Sequence, residues 1–250
     1  MKETFREKAQ ALHVFFLDIL FPVACLECGK QEEWLCGNCL SKIKTVDEQL
    51  CPLCERAITP DGRICFACKK RSPLDGLLVC ASYKEKTVSR AVHNFKYRFI
   101  SDLSVPLGKI MTKKILSSSL PLPDFLLPVP LHSRRLRWRG FNQAELLAGI
   151  ISKNLTPGME IPIPQNVLVR RKYTSSQMKI KNLQQRKRNI ENAFLVRDPR
   201  SIKGKTIFLI DDVATTGATL FECAKTLKTK GAREVFAIVI ARQEMKVRDQ

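Results

Sequence analysis

The sequence predicts an α/β fold, a mostly parallel sheet with helices on both faces, preceded by a small metal-stapled module. Three observations predict it. Apolar runs alternate with amphipathic stretches from Leu74 onward; residues 206–241 spell strand, helix, strand; and eight of the ten cysteines form four Cys-x-x-Cys pairs within residues 25–68.

The chain has 250 residues, 44% hydrophobic and 27% charged, as soluble globular proteins do and disordered, collagenous or coiled-coil chains do not. Against 24 Asp and Glu stand 43 Lys and Arg, a formal charge of +19 that suits phosphate-bearing partners. Residues 1–24 carry an amphipathic helix over Thr4–Leu20, with Leu12, Phe16 and Ile19 on one side. The apolar stretch Val14–Val23 is broken by Asp18 and Pro22, which argues against a signal peptide and against a membrane span of about 20 residues. No membrane insertion and a cytoplasmic location are therefore expected. In that reducing compartment the cysteine spacing needs an explanation other than disulfides.

A two-residue gap lets both thiolates of a pair face one ion. Four sulfurs about 2.3 Å from the metal then close a tetrahedral site and leave no position open for catalysis. Cys25, Cys28, Cys36, Cys39, Cys51, Cys54, Cys65 and Cys68 thus predict a double zinc ribbon over residues 25–72, holding two structural Zn2+. Short gaps, and Pro52 opening the second half, favour sequential sites, Cys25 to Cys39 on one ion and Cys51 to Cys68 on the other; a cross-braced pairing of first pair with third is the alternative. With few large apolar side chains, the module depends on metal to fold. Cys80 and Cys223 fall in apolar strand and helix registers, as buried core thiols do.

Residues 73–250 carry the α/β domain. Strands are expected over Leu77–Tyr83, Phe125–Val129, Val167–Arg170, Ala193–Val196, Thr206–Asp211 and Val235–Ala241, and helices over Lys86–Tyr97, Asp102–Leu116 and Gln143–Lys153. A further helix places Leu220, Cys223, Ala224 and Leu227 on one face, and Gly231 can end it. In a parallel sheet, ligands bind beyond the carboxyl ends of the strands. There Thr206–Asp211 runs into Asp211 and Asp212, then Val213, Ala214, Thr215, Thr216, Gly217, Ala218 and Thr219. Such a turn at a helix start offers several backbone N–H groups and Thr hydroxyls to one anion, and the helix dipole adds to their pull. Paired acids at the strand tip can accept hydrogen bonds from a sugar diol or approach a divalent cation. Diol and terminal phosphate together describe a ribose 5-phosphate. A receiver-type phosphoacceptor site is a rival reading of the acids, but it lacks a phosphate-binding turn directly after them; a purely structural turn is another. Neither a Walker A loop nor a G-x-G-x-x-G turn is present.

The run "IFLIDDVATTGATL" resembles the phosphoribosyl-diphosphate signature of type I phosphoribosyltransferases. Taken in order, the four cysteine pairs, "PVPLHSRRLRWRGFNQAELLA", "RRKYTSSQMKIKNLQQRKRNIENAF" and the acidic strand-loop resemble the ComF family of double-zinc-ribbon, phosphoribosyltransferase-like proteins over nearly the full length. The resemblance implies a type I phosphoribosyltransferase-like sheet and phosphoribosyl diphosphate, or another phosphosugar, bound with Mg2+. Asp211 and Asp212 would hold the ribose hydroxyls and Ala214 to Thr219 the 5-phosphate. Val129, Pro130, Leu131, His132, Arg134 and Arg139 would belong to the pyrophosphate loop. The family is associated with natural competence, the uptake of single-stranded DNA.

Arg134, Arg135, Arg137 and Arg139 stand in residues 131–144 with no acid among them, a composition suited to a leaving group of several negative charges. Residues 161–190 contain Arg170, Arg171, Lys172, Lys179, Lys181, Arg186, Lys187 and Arg188 and no Asp or Glu. As a block, with Gln177, they read as a mobile lid or as contacts to an anion or to DNA; for any single one a solvated basic face is the simpler account. Lys96 and Tyr97 close a helix without an assigned role, and His132 can donate to phosphate. The expected chemistry is displacement at the ribose anomeric carbon as magnesium pyrophosphate leaves, with the protein positioning and neutralising charge. Thr215 stands where hypoxanthine-type enzymes of the fold carry an Asp, so an amine, another base or no acceptor all stay open. The alternative is a non-catalytic module that binds single-stranded DNA through basic loops, with Trp138, Phe141 and Tyr173 for stacking, or that docks a DNA-translocating ATPase through its zinc ribbon.

Overall fold

The computed structural model describes residues 23–174 and 188–243; the expected helix over residues 4–20 and the basic-block residues Gln177, Lys179, Lys181, Arg186 and Lys187 lie outside them. The chain divides into two compact units between Ile43 and Lys44, so the second cysteine quartet groups with the sheet that follows it.

In the first unit a turn at Cys25–Gly29 is closed by backbone bonds, the Cys25 N–H donating to Lys30 O at 2.7 Å and Leu26 N–H to Trp34 O at 3.0 Å. Cys36 then opens a short helix, α1 (Gly37–Lys42), that carries Cys39 inward.

The second unit is built on four parallel strands: β1 (Gly76–Ser82), β2 (Phe125–Pro128), β5 (Thr206–Ala214) and β6 (Glu234–Arg242), in the order β1-β6-β5-β2. The other two expected strands do not join them. β3 (Leu168–Arg170) and β4 (Phe194–Val196) pair antiparallel in a ribbon of their own, while β6 and β5 each have a neighbour on both sides within the four-stranded sheet. β5 is also longer than expected. Pairing with β6 continues through Asp211↔Val239 to Ala214↔Arg242, so the two acids lie inside the strand rather than at its tip.

The helices are α2 (Lys86–Tyr97), α3 (Ser104–Leu116, preceded by a 3-10 turn at Ser101–Leu103), α4 (Ser133–Arg139), α5 (Gln143–Leu155), α6 (Pro199–Ile202) and α7 (Ala218–Lys228). Leu220, Cys223, Ala224 and Leu227 of α7 bury against Ile207, Leu209, Val235 and Ala237 on one face of the sheet. Side chains of opposite parity, such as Phe208, Ile210 and Ile238, turn to the other face, where α3 and α5 pack. Cys80 and Cys223 are fully buried, as their registers predict. The basic helix α4 was not expected: it buries no residue, so it has no apolar period to read, and it ends at Gly140 with φ 80°.

The free edge of β1 is covered by the second cysteine module. Thr45 bridges Ala81, Val46 N–H donates to Cys80 O at 3.1 Å, and Arg63 bridges Gly76. Gly62, at φ +69°, passes so close to β1 that a Cβ there would lie 2.0 Å from the Leu77 carbonyl oxygen. Among the described residues no helix is long and apolar enough to cross a membrane.

Candidate functional site

The ten cysteines form no disulfide, and eight of them gather into two quartets. Sγ atoms of Cys25, Cys28, Cys36 and Cys39 all lie within 4.8 Å of one another, as do those of Cys51, Cys54, Cys65 and Cys68. The pairing is therefore sequential, not cross-braced. Sulfur separations of 3.7 Å (Cys28–Cys36) and 3.9 Å (Cys54–Cys65) match the edge of about 3.8 Å expected for a tetrahedron of sulfurs 2.3 Å from its centre. Four sulfurs at that spacing fit a closed structural zinc site and leave no ligand position for chemistry.

The second site is a cleft of about 170 Å³ at the carboxyl end of the sheet, lined by Asp211, Asp212, Val213, Thr215 and Thr219. Alternation along β5 sends the two acids to opposite faces: Asp211 to the α7 side and Asp212 to the α2 side. Asp212, whose side chain is 7% exposed, meets Lys96 Nζ of α2 at 2.9 Å. That partner could not be read from the sequence, where Lys96 stands more than a hundred positions away. Burial draws the Lys96 ammonium down, but Asp212 and then Asp211 outweigh it and hold its pKa above the ordinary value. Among the described residues no ion pair holds Asp211 as Lys96 holds Asp212, although Arg170 interacts with it electrostatically. Burial, with the Asp212 charge added and Lys96 only partly offsetting both, pushes its carboxyl up to about 7.

After Ala214, which is buried, the chain turns at Thr215 and Thr216, and Gly217 with φ 72° starts α7 at the buried Ala218. Gly217 is needed there because a β-carbon at positive φ is strained. The Thr216 hydroxyl accepts from the Ala218 N–H at 3.3 Å. The turn thus brings the helix start up to the cleft, with Thr215 and Thr219 facing into it.

The opposing wall is cationic. Arg135 and Arg139 of α4 and Arg170 of β3 line the cleft together with Val129 and Leu131; Pro130 lies between the last two, half-buried. Arg170, expected with the basic block, thus reaches the acidic strand, and Arg135 belongs to the wall as well. Burial first, and then the charge of a neighbouring arginine, pulls both Arg135 and Arg170 below their ordinary values. Nε of Arg139 and Nε of Arg170 are buried without a hydrogen-bond partner, two donors that an anion in the cleft would satisfy. Gln143 accepts from Arg139 Nη1 at 3.1 Å and donates to Phe95 O at 3.4 Å, fixing that arginine to the end of α2. Asn142 donates to Val129 O at 3.2 Å and so holds the loop after β2.

Other expected contacts lie apart from the cleft lining. Arg134 is exposed and stacks over the Tyr173 ring at 5.1 Å, His132 accepts the Arg134 N–H through Nδ1 at 3.2 Å, and Arg171 is exposed and donates to Asn192 O at 3.2 Å. Lys96, Tyr97, Asn142, Gln143 and Ala144 are the lining residues to which sequence reasoning gave no role; their only signal was proximity to the basic run or to a helix end.

Residues 142–249 match the phosphoribosyl transferase domain family, and residues 16–69 match the double zinc ribbon domain family. "DNA utilization protein YhgH" of Escherichia coli (strain K12) is 31% identical over 205 residues, covering 80% of this chain and 87% of that protein. "Competence protein F" of Haemophilus influenzae is 28% identical over 231 residues, covering 89% and 98%. "Competence protein ComFC" of Bacillus subtilis (strain 168) is 30% identical over 216 residues, covering 81% of each. With two cysteine quartets ahead of a parallel sheet whose acidic strand leads into a helix-capping turn, and with relatives similar along most of their length, this chain belongs to the ComF family.

Proposed function

We propose that this chain binds phosphoribosyl diphosphate with Mg2+ in the cleft and transfers the phosphoribosyl group, in the setting of DNA uptake or utilization that its relatives' names indicate. One observation carries the reading: two carboxylates, a helix-start turn and three guanidinium groups converge on a single cleft. Asp211, ionised, accepts from the ribose hydroxyls. Lys96 keeps Asp212 paired, so the two acids do not repel as a bare dyad. The turn from Thr215 to Thr219 takes the 5-phosphate, and Arg135, Arg139 and Arg170 take the diphosphate. Bound Mg2+ would neutralise the leaving group. The nucleophile's electron pair forms a bond to the anomeric carbon as the C–O bond breaks and its pair leaves on pyrophosphate.

The test is titration with phosphoribosyl diphosphate and Mg2+ between pH 6 and 8. An acid raised from 3.8 to about 7 keeps its proton in the fold where the unfolded chain loses it. Its contribution to stability is therefore present at low pH and is lost as pH rises through about 7. Ligand binding needs the ionised form, so affinity should climb by about tenfold per pH unit below 7 and level off above it. Asp211→Asn should weaken binding and flatten that profile. No stabilisation by the ligand, or a profile that Asp211→Asn leaves unchanged, defeats the proposal.

A second reading has one observation in its favour. Trp138 is 69% exposed on α4 beside exposed Arg134 and Arg137, equipment for stacking a single strand. Six phosphate contacts would give a log-log salt slope of about −4, which a small ligand held in the cleft would not show.

A further inference from the structure

Three guanidinium groups that converge on one cleft repel one another, so neighbouring groups must fix where each stands. Among the described residues no ion pair holds Arg135, Arg139 or Arg170 to a carboxylate. Arg135 and Arg170 share a neutral partner instead. Thr174, 4% exposed, accepts from both: Arg135 Nη2 donates to its carbonyl oxygen at 2.9 Å, and Arg170 Nη2 donates to its hydroxyl. Because Arg135 stands on α4 and Arg170 on β3, this one residue joins the two elements that supply the cationic wall. Tyr173 reinforces the join, with the Arg134 and Arg135 guanidinium groups over its ring at 5.1 and 6.0 Å. Thr174 itself is not among the residues that line the cleft, so it acts on a ligand only through the arginines.

We propose that Thr174 is a positioning residue of the cleft: it holds Arg135 and Arg170 side by side for two linked phosphate groups, and so favours a diphosphate over a monophosphate. That the diphosphate is carried by a ribose rests on the phosphoribosyl reading; the grip on two arginines does not. The physical ground is the kind of acceptor. A carboxylate in this place would fix the guanidinium groups and cancel their charge, whereas a carbonyl and a hydroxyl fix direction and leave both charges for the ligand. Arg170 also lies over the Phe194 ring at 5.4 Å, and its Nε is buried without a hydrogen-bond partner. Stacking and the Thr174 hydroxyl order this side chain before any ligand arrives, which lowers the entropy lost on binding. A single phosphate can meet one ordered guanidinium; two linked phosphates can meet both.

Calorimetric titration of the full-length, zinc-loaded protein with Mg2+ and three probes tests this: phosphoribosyl diphosphate, inorganic pyrophosphate and ribose 5-phosphate. Thr174→Val removes the hydroxyl and keeps the branched shape. It should weaken both diphosphate probes by about tenfold, the size of one lost hydrogen bond to a charged group, and leave ribose 5-phosphate within about twofold of wild type. Thr174→Ala, which lacks the hydroxyl without adding a methyl, should repeat that pattern. Thr174→Ser keeps the acceptor and should hold both diphosphate affinities within about twofold of wild type. In an Arg170→Met background, Thr174→Val should change pyrophosphate affinity by less than about twofold, because the hydroxyl then has no guanidinium to hold. Equal weakening of all three probes, no weakening of any, or a Ser variant as weak as the Val variant overturns the proposal and makes Thr174 a packing residue, whether or not phosphoribosyl diphosphate binds. Pyrophosphate that binds and follows the expected pattern, with no binding of phosphoribosyl diphosphate, would support the role of Thr174 and remove the phosphoribosyl reading instead.

Discussion

The two cysteine quartets share one ligand geometry and differ in what surrounds them. Around Cys25–Cys39 the backbone closes a tight turn and a short helix within the first compact unit. Around Cys51–Cys68 the chain bridges β1 at Arg63 and Gly76, donates from Ile64 N–H to Asp75 O at 2.9 Å, and anchors Asp61 Oδ2 on the Ser119 hydroxyl and N–H. The difference teaches that identical metal chemistry can do unlike work. A zinc ion in the second quartet would stiffen an edge cover of the sheet, whereas one in the first would fold its own unit.

The sharpest way to break this comparison is to remove each site in turn. Cys25→Ser with Cys28→Ser and Cys51→Ser with Cys54→Ser should each lower bound zinc from two per chain to one, read by elemental analysis. A structural zinc contributes about 10–16 kcal/mol in isolated fingers, comparable with the whole stability of a domain. Loss of the second site should therefore lower the melting point of the sheet by about 10 °C or more, or remove the protein from the soluble fraction. Loss of the first should leave the ligand-induced stabilisation in place. Equal damage from both, or the reverse order, would show that the second module does not support the sheet.

A milder cut targets the close approach alone. Gly62→Ala leaves every cysteine in place but puts a Cβ 2.0 Å from the Leu77 carbonyl oxygen, on a backbone at φ +69°. Backbone cannot yield as a flexible side chain would, so a loss of about 2–4 kcal/mol is expected, with two zinc ions still bound. Chemical denaturation read by tryptophan and far-ultraviolet signals checks it. A variant as stable as the parent would mean that the module can lift off β1 without consequence.

Why some of this was legible and some was not follows from the range of each signal. The α2 bounds, Lys86–Tyr97, were open to view because its apolar period and its turn residues are local. The acids and the turn of the cleft were legible for the same reason, being consecutive in the chain. The extra length of β5 was not, since Asp211 and Asp212 interrupt the apolar run and only the ladder to β6 carries the strand onward. The antiparallel pairing of β3 with β4 was hidden because strand direction is a tertiary property, and α4 because an exposed helix leaves no apolar stripe. Lys96 against Asp212 joins elements far apart in sequence, and no spacing rule reaches that distance.

The smallest expected effect isolates one side chain of the weld. Gln49 is 3% exposed, and its amide serves β1 as a neighbouring strand would: it accepts the Val79 N–H and donates to Val79 O, and its amide nitrogen also reaches Val46 O at 2.9 Å. Gln49→Leu keeps the volume and removes those partners together, leaving the Val79 N–H and C=O at the sheet edge without them. An unmade buried bond typically costs about 1–3 kcal/mol, so a loss near the middle of that range is expected from denaturant titration. Gln49→Glu separates hydrogen bonding from packing: it can still accept from Val79 N–H but faces Val46 O and Val79 O with an acceptor. It should therefore destabilise the chain more at pH 8 than at pH 5, where a protonated carboxyl can again donate to one of those carbonyls. Equal stability of the two variants across that range would show that Gln49 fills space at the β1 edge without pairing it.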